Sequence, residues 1–355
     1  NHRTVTRISN DSRRIFMFRQ TFAAIVIASI LIATSHADGP AQPDSALDVY
    51  AKPGESIGIG SGRHLNLRCS GKGSPTVILE SGAMADSLAW FKVQPQVANF
   101  TRVCAYDRAG YGFSDGSAST RYVDGSVDDL NALIRSAKIA TPAVFVGHSL
   151  GTNIVRTYAS KHAADVAAMV LLDPPEQDVA RFSPAWAKAE DESRTASLPM
   201  IRACAQGARE GKLNSPPPEL AQCLRGPNPA FSAALNAAQR ASKLRPAFWH
   251  SVVAVQEGNG ELYSQSVSPQ ENHGAIPLLI LAPDGSHDDA PPDDRKALDT
   301  ASVATHKAIA ATSTRSEIIP VAHSSHEVEM DQPDAVVDAI KKAVKLAATP
   351  RRTSS

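Results

Sequence analysis

The 355-residue chain reads as an α/β protein: a mostly parallel sheet covered by helices on both faces, interrupted once by a helical insertion. Three observations predict this. Apolar runs of strand length alternate with stretches of helical periodicity through residues 76–172, the pattern of repeated βα units. The runs at 143–147 and 167–172 are apolar at successive positions rather than alternate ones, as expected of strands buried on both faces. After Asp173-Pro174-Pro175 the alternation stops, residues 176–270 are rich in Ala, Pro and Ser, and a strand pattern resumes at 277–281.

The elements follow in order. Residues 55–59 and 64–68 form a hairpin about Ser61-Gly62-Arg63. Strand 76–80 comes next, then a helix near 90–98, strand 102–106, helix 126–138, strand 143–147, helix 153–162 and strand 167–172. Within 176–270, helical stretches fall near 195–210 and 229–255. Strand 277–281 is followed by an acidic loop, a helix to about residue 311, strand 316–320 and a closing helix to 346. Residues 55–175 and 271–347 therefore make a core, and 176–270 a cap inserted over it. Hydrophobic residues at 43% suffice for one such core, while aromatics at 5% leave its packing to Val, Ile, Leu and Ala.

The first 37 residues have a different character. Met17 is followed by Arg19, an apolar run at 22–33 and Ser35-His36-Ala37, the layout of a secretory signal with small residues before the cleavage point. The run is too short for an ordinary membrane span, although an uncleaved N-terminal anchor is the alternative. Residues 1–37 are thus read as upstream sequence plus signal, 38–54 as a linker and 348–355 as a disordered tail, with the mature chain periplasmic or secreted and without a stable membrane span. Cleavage after Ala37 removes five arginines and one aspartate and takes the formal charge from zero to minus four. No basic footprint for a nucleic acid remains. Four cysteines suit an oxidising compartment if they pair, and four allow three pairings. Cys204 and Cys223 flank a loop within the insertion that a bridge would close.

The chemistry centres on Gly147-His148-Ser149-Leu150-Gly151. A serine hydroxyl is a weak nucleophile and needs a strained strand-to-helix turn that exposes it close to a base. Outside that context the pattern is a surface turn; here it lies between a buried strand and a helix. A base is expected on a loop after the last strand, where His323 and His326 compete. The loop holding Asp284, Asp288, Asp289, Asp293 and Asp294 lacks the ordered spacing of a calcium loop and reads as a solvated acidic stretch.

These features occur with Gly73-Ser74-Pro75-Thr76-Val77-Ile78-Leu79-Glu80-Ser81-Gly82, with Tyr106-Asp107-Arg108-Ala109-Gly110-Tyr111-Gly112-Phe113-Ser114-Asp115 and with Val170-Leu171-Leu172-Asp173-Pro174. Together, over roughly 55–347, they resemble the α/β-hydrolase superfamily, and within it the bacterial serine-hydrolase branch related to haloperoxidases and small esterases. The match is weak at 176–270. Thr152 departs from it, standing where many relatives carry a second glycine, which would set the helix slightly farther from the strand.

The resemblance implies an eight-stranded, mostly parallel sheet and a triad of Ser149, His326 and an acid. The spacing from His326 to Pro333 selects that histidine over His323. The commoner place for the acid, past strand seven, falls on Ser286 with Asp284 and Asp288 to either side; the alternative place, after strand six, is Asp173, which is preferred to Asp284. The oxyanion donors would be the backbone amides of Leu150 and Ala83. The strand order of the superfamily makes the strands bearing Cys69 and Cys104 neighbours, so a 69–104 bridge joins 204–223, two buried thiols being the alternative for the former.

The implied activity is a secreted serine hydrolase that cleaves carboxylic esters or related acyl bonds of small molecules through an acyl-enzyme, with no cofactor or metal required. Amidase, lactonase or haloperoxidase-like activity on the same triad, and a binding protein that has lost catalysis, are the alternatives. Ser149 argues against the aspartate-nucleophile chemistries of this fold. Phe182, Trp186, Phe231, Phe248 and Trp249 could line an acyl pocket or hold the cap to its core.

Overall fold

The computed structural model describes residues 45–117, 119 and 122–348. The expected signal at 1–37, the first part of the linker and nearly all of the tail lie outside these residues. Eight strands form one sheet: β1 (Glu55–Gly60), β2 (Arg63–Ser70), β3 (Val77–Glu80), β4 (Val103–Tyr106), β5 (Ala143–His148), β6 (Val166–Leu172), β7 (Leu278–Pro283) and β8 (Ser316–Val321), in the order β1-β2-β4-β3-β5-β6-β7-β8. The pairs β1/β2 and β2/β4 are antiparallel and the other five are parallel. This is the mostly parallel α/β sheet expected from the sequence.

The successive apolar positions have a direct cause. In β3, Val77 and Leu79 enter one core layer and Ile78 the other; in β5, Val144 and Val146 oppose Ala143 and Phe145; in β6, Val170 and Leu172 oppose Met169 and Leu171. Because side chains alternate across a strand, a strand buried on both faces must be apolar throughout. One layer is closed by α1 (Tyr122–Ser136) and α2 (Leu150–Lys161), through Leu130, Leu133, Ile134, Ile154 and Tyr158. The other is closed by Val336, Val337, Ile340 and Ala343, on the final helix of the fold. Each fully buried aliphatic side chain of this kind contributes about 1.5–3 kcal/mol relative to exposure.

Between β6 and β7 lie three α-helices, α3 (Pro184–Arg209), α4 (Ala233–Leu244) and α5 (Pro246–Ser264). They are followed by α6 (Pro292–Ala310) and α7 (Pro333–Ala347). Two expectations need correction here. The stretch 229–255 is two helices, because Pro246 disfavours helical backbone at Arg245, which is extended at φ −80, ψ 136. The helix expected near 195 begins at Pro184, where Ser183 caps the Trp186 amide and proline occupies the first turn. Within the stretch read as linker, Ser45–Ala51 is a 3-10 helix whose Leu47 and Tyr50 pack with Leu88 and Leu235.

The insertion is fastened to the loop after β4. Arg245 donates to the carbonyls of Ser114 (2.7 Å), Gly112 (2.7 Å) and Gly110 (3.2 Å), and Ser251 Oγ to that of Ala109 (2.8 Å). Phe248, Trp249 and Val252 pack with Tyr111, while Phe231 joins the Leu47–Leu88 cluster. These aromatics therefore hold the insertion to the core. Phe182 and Trp186 are half-buried.

Both disulfides form. Cys69 and Cys104 are direct register partners on β2 and β4, and Cys204 is bonded to Cys223, 19 residues later. Closing a loop of that length should stabilise the fold by about 3 kcal/mol. The Cys204→Ala/Cys223→Ala double variant is expected to lose stability of that order in denaturant unfolding, with the wild type presenting no titratable thiol before reduction. Unchanged stability, or four thiols in unreduced protein, would contradict the pairing.

Candidate active site

Ser149 is the single residue between β5 and α2, at φ 51 and ψ −125, a backbone conformation that a side-chain-bearing residue adopts only under constraint. Its amide donates to the Leu172 carbonyl (3.0 Å), tying the turn to the end of β6. The two motif glycines are required by close approach: a Cβ on Gly147 would lie 2.7 Å from the Gly151 oxygen, and one on Gly151 2.6 Å from the carbonyls of Glu80 and Ser81. Thr152 fits without exposure, its hydroxyl donating to the Ser149 carbonyl (2.7 Å).

Two sets of amides border the serine. Leu150 opens α2, so its N–H has no partner one turn earlier. Across from it runs the loop Ser81-Gly82-Ala83-Met84, where a Cβ on Gly82 would come 3.4 Å from the Ser149 Cβ. The buried Arg108 guanidinium donates to the carbonyls of Ser81 and Gly82 and to the buried Glu80 carboxylate. The peptide plane that turns the Gly82 carbonyl to Arg108 turns the Ala83 N–H the opposite way.

Asp173 directly follows β6, is 1% exposed and has φ 41. Its Oδ2 lies 2.7 Å from His326 Nδ1 and accepts from Ser286 Oγ (2.6 Å), while its Oδ1 is 3.7 Å from His306 Nε2. Burial alone would raise its pKa, but the hydrogen bond and charge of His326 and the Ser286 hydroxyl outweigh it and hold the group below the ordinary carboxylate value. For His326 burial acts to lower the pKa, and the hydrogen bond and charge of Asp173 outweigh it, raising it from 6.5 to about 9. With Nδ1 on Asp173, the Nε2 edge of the ring faces the other way.

The remaining candidates are elsewhere. His323 is exposed, at φ 57, with its carbonyl accepting from Gln332. Asp284 accepts the Ser324 amide (3.3 Å), and backbone donors from His323 and Ser324 lower its pKa, so it closes the loop rather than meeting His326. Asp293 and Asp294 occupy the first turn of α6, where acidic groups are favoured, and Asp288 pairs with Arg295 (3.3 Å). Sequence reasoning missed Ser286 as a partner of Asp173, although counting residues past β7 lands on it, and it missed Arg108, His306, His148 and Glu329. Among the described residues, His148, Glu327 and Glu329 bring potential ligand atoms within 4.8 Å of one another.

Comparison with known proteins agrees with this architecture. The family model for the alpha/beta hydrolase fold matches residues 75–195. The chain is 34% identical over 113 residues to the protein YqjL of Bacillus subtilis, covering 32% of this chain and 45% of that one. It is also 34% identical over 122 residues to the 2-hydroxymuconate semialdehyde hydrolase of Pseudomonas sp. strain CF600, covering 32% of this chain and 41% of that one. The matched stretches thus span less than half the length of either relative. Among solved structures, a thermophilic esterase from Thermogutta terrifontis superposes with a TM-score of 0.54 at 19% identity, covering 83% of this chain and 99% of that one. With its sheet in this order, its strand-to-helix turn at Ser149 and a family match that runs from β3 through β6, the chain has the alpha/beta hydrolase fold.

Proposed function

We propose that the protein is a secreted serine hydrolase that cleaves carboxylic esters through an acyl-enzyme on Ser149. The observation that carries the reading is the 2.7 Å contact between His326 Nδ1 and buried Asp173, made beside the strained turn that presents Ser149. Ser149 Oγ attacks the ester carbonyl and its proton passes to Nε2 of His326. Asp173 fixes the imidazole tautomer and favours the imidazolium that forms. The oxyanion is met by the amides of Leu150 and Ala83, each such donor typically worth about 3–4 kcal/mol in the transition state. The alcohol leaves with the proton from His326, and water, activated by the same imidazole, releases the acid. The esterase among the structural neighbours supports the choice of ester. The two disulfides support an oxidising compartment. No helix among the described residues is long and apolar enough to cross a membrane.

Hydrolysis of p-nitrophenyl esters graded from acetate to palmitate tests the reading, with amide and lactone panels alongside. Ser149→Ala is expected to abolish turnover with the fold intact, and His326→Ala to lower it by several orders of magnitude, whereas His323→Ala changes it little. Ester turnover surviving in Ser149→Ala would sink the assignment.

The acid is tested separately. Asp173→Asn should lower kcat about 10⁴-fold, because an amide holds the imidazole in the wrong tautomer, while Asp284→Asn stays near wild type. The reverse order would move the acid to the loop after β7.

The pH profile follows from His326. A general base works as the neutral imidazole, so activity is low below its pKa and rises with pH through it. With that pKa raised to about 9, the limb of kcat/KM should lie well on the alkaline side of 6.5. His287, between Glu176 and Asp299, is also raised to about 9, so the same limb must persist in His287→Gln. A limb at or below 6.5 in wild type, or its loss in His287→Gln, contradicts the assignment to His326.

A further inference from the structure

The chemistry above leaves one buried titratable pair unused. His148 ends β5, one residue before Ser149, and is 3% exposed; Glu329 lies three residues after His326 and is 1% exposed. His148 Nε2 is 2.9 Å from the backbone carbonyl oxygen of His326. A carbonyl only accepts, so Nε2 carries a proton. On the other edge of the ring, Nδ1 is 3.2 Å from Glu329 Oε1. The His148 ring also lies 4.8 Å from the His326 ring, and a Cβ on Gly82 would come 2.9 Å from its Nδ1. One side chain therefore touches the segment bearing His326, the His326 ring and the loop that offers the Ala83 amide.

The pair is either an imidazolium with a carboxylate or a neutral imidazole with a carboxylic acid. Two observations decide. Glu329 Oε2 is buried and meets no N–H donor, and the side chain hydrogen-bonds to the Glu327 carboxyl, a contact that itself needs one of the two acids protonated. Burial without such a donor is costly for a carboxylate oxygen and far less so for the carbonyl oxygen of a neutral acid. The Glu327 carboxyl stands in the same cluster, so a second negative charge on Glu329 would be repelled. Burial and Glu327 accordingly hold Glu329 well above the ordinary carboxylate range, and burial lowers the pKa of His148.

We propose that Glu329, as a neutral carboxylic acid, donates its O–H to His148 Nδ1 and so fixes His148 as the Nε2–H tautomer that anchors the His326 carbonyl. The two are positioning residues for the general base, and the proposal rests on the reading of His326 in that role. It contrasts with the Asp173–His326 pair a few ångströms away: there an ionised carboxylate accepts from the working imidazole, and here a neutral acid donates to the supporting one.

The test uses the full chain. In ¹⁵N-histidine-labelled wild type at pH 7, the His148 ring, assigned by its loss in His148→Asn, should give the nitrogen shifts of a neutral Nε2–H imidazole; an imidazolium signature overturns the proposal. Glu329→Gln keeps a donor on Nδ1 without a titratable proton and should retain wild-type kcat on p-nitrophenyl butyrate. Glu329→Leu should lower kcat about 100-fold, the scale expected when a reacting group is misplaced by about 1 Å, at unchanged KM. Glu329→Gln failing as badly as Glu329→Leu, or a stoichiometric divalent ion in the purified protein, would mean that charge or a cation occupies the pair and would overturn it. So would wild-type kcat in folded Glu329→Leu; if that variant does not fold, the glutamine variant and the wild-type spectrum decide. An active wild type that keeps its turnover in Ser149→Ala refutes the serine mechanism instead, and the tautomer measurement stands apart from that result.

Discussion

Holding a side-chain-bearing residue at φ 51 between β5 and α2 is the constraint to which the rest of this end of the sheet is adjusted. Such backbone costs on the order of 1–3 kcal/mol and persists only where the surroundings leave no alternative. Here they leave none. The strand fixes the chain before Ser149 and the helix fixes it after. The Leu172 carbonyl holds the Ser149 amide, and the backbone packs so closely at Gly147 and Gly151 that neither position has room for a Cβ. The same closeness brings the 81–84 loop against the serine, so strain and site share one cause.

Burying charge near this turn serves geometry rather than stability alone. Arg108 and Glu80 are both almost fully buried, and the cost of desolvating them is offset because the guanidinium also takes up two loop carbonyls. Asp107, next in the same motif, accepts from the Ser87 amide (2.9 Å), the Phe113 amide (2.9 Å) and Asn66 Nδ2 (2.8 Å). Gly112 is at φ 48, where a Cβ would strike that carboxylate. The Asp-Arg-x-Gly-x-Gly-x-Ser block is therefore a scaffold. One end sets the loop facing Ser149, and the other offers the carbonyls to which Arg245 fastens the insertion.

The sheet was legible because the central parallel strands are buried on both faces and write that burial as an unbroken apolar run, as in Val144-Phe145-Val146 and Met169-Val170-Leu171-Leu172. Ser149 was legible because its turn needs glycines at fixed spacing. Asp173 could be narrowed but not singled out. An aspartate before a proline reads equally as a turn residue, and only the packed structure shows Ser286 and His326 converging on it while Asp284 turns to backbone amides. The roles of Arg108, His148 and Glu329 were not legible for a related reason. Their roles come from contacts between segments far apart in sequence, and a lone His or Glu carries no local pattern that declares a buried partner. The break at Arg245 had a local signal in Pro246, and the start of α3 had one in Ser183-Pro184, but the low aromatic and high alanine content of that stretch blurred its periodicity.

Peptide mapping of the wild-type chain after reaction with a fluorophosphonate tests the central claim most directly, since the reagent forms a covalent adduct only with an activated serine. The account predicts one adduct per chain, carried by the peptide containing Ser149. An adduct on any other serine, or none in protein that hydrolyses esters, would contradict it.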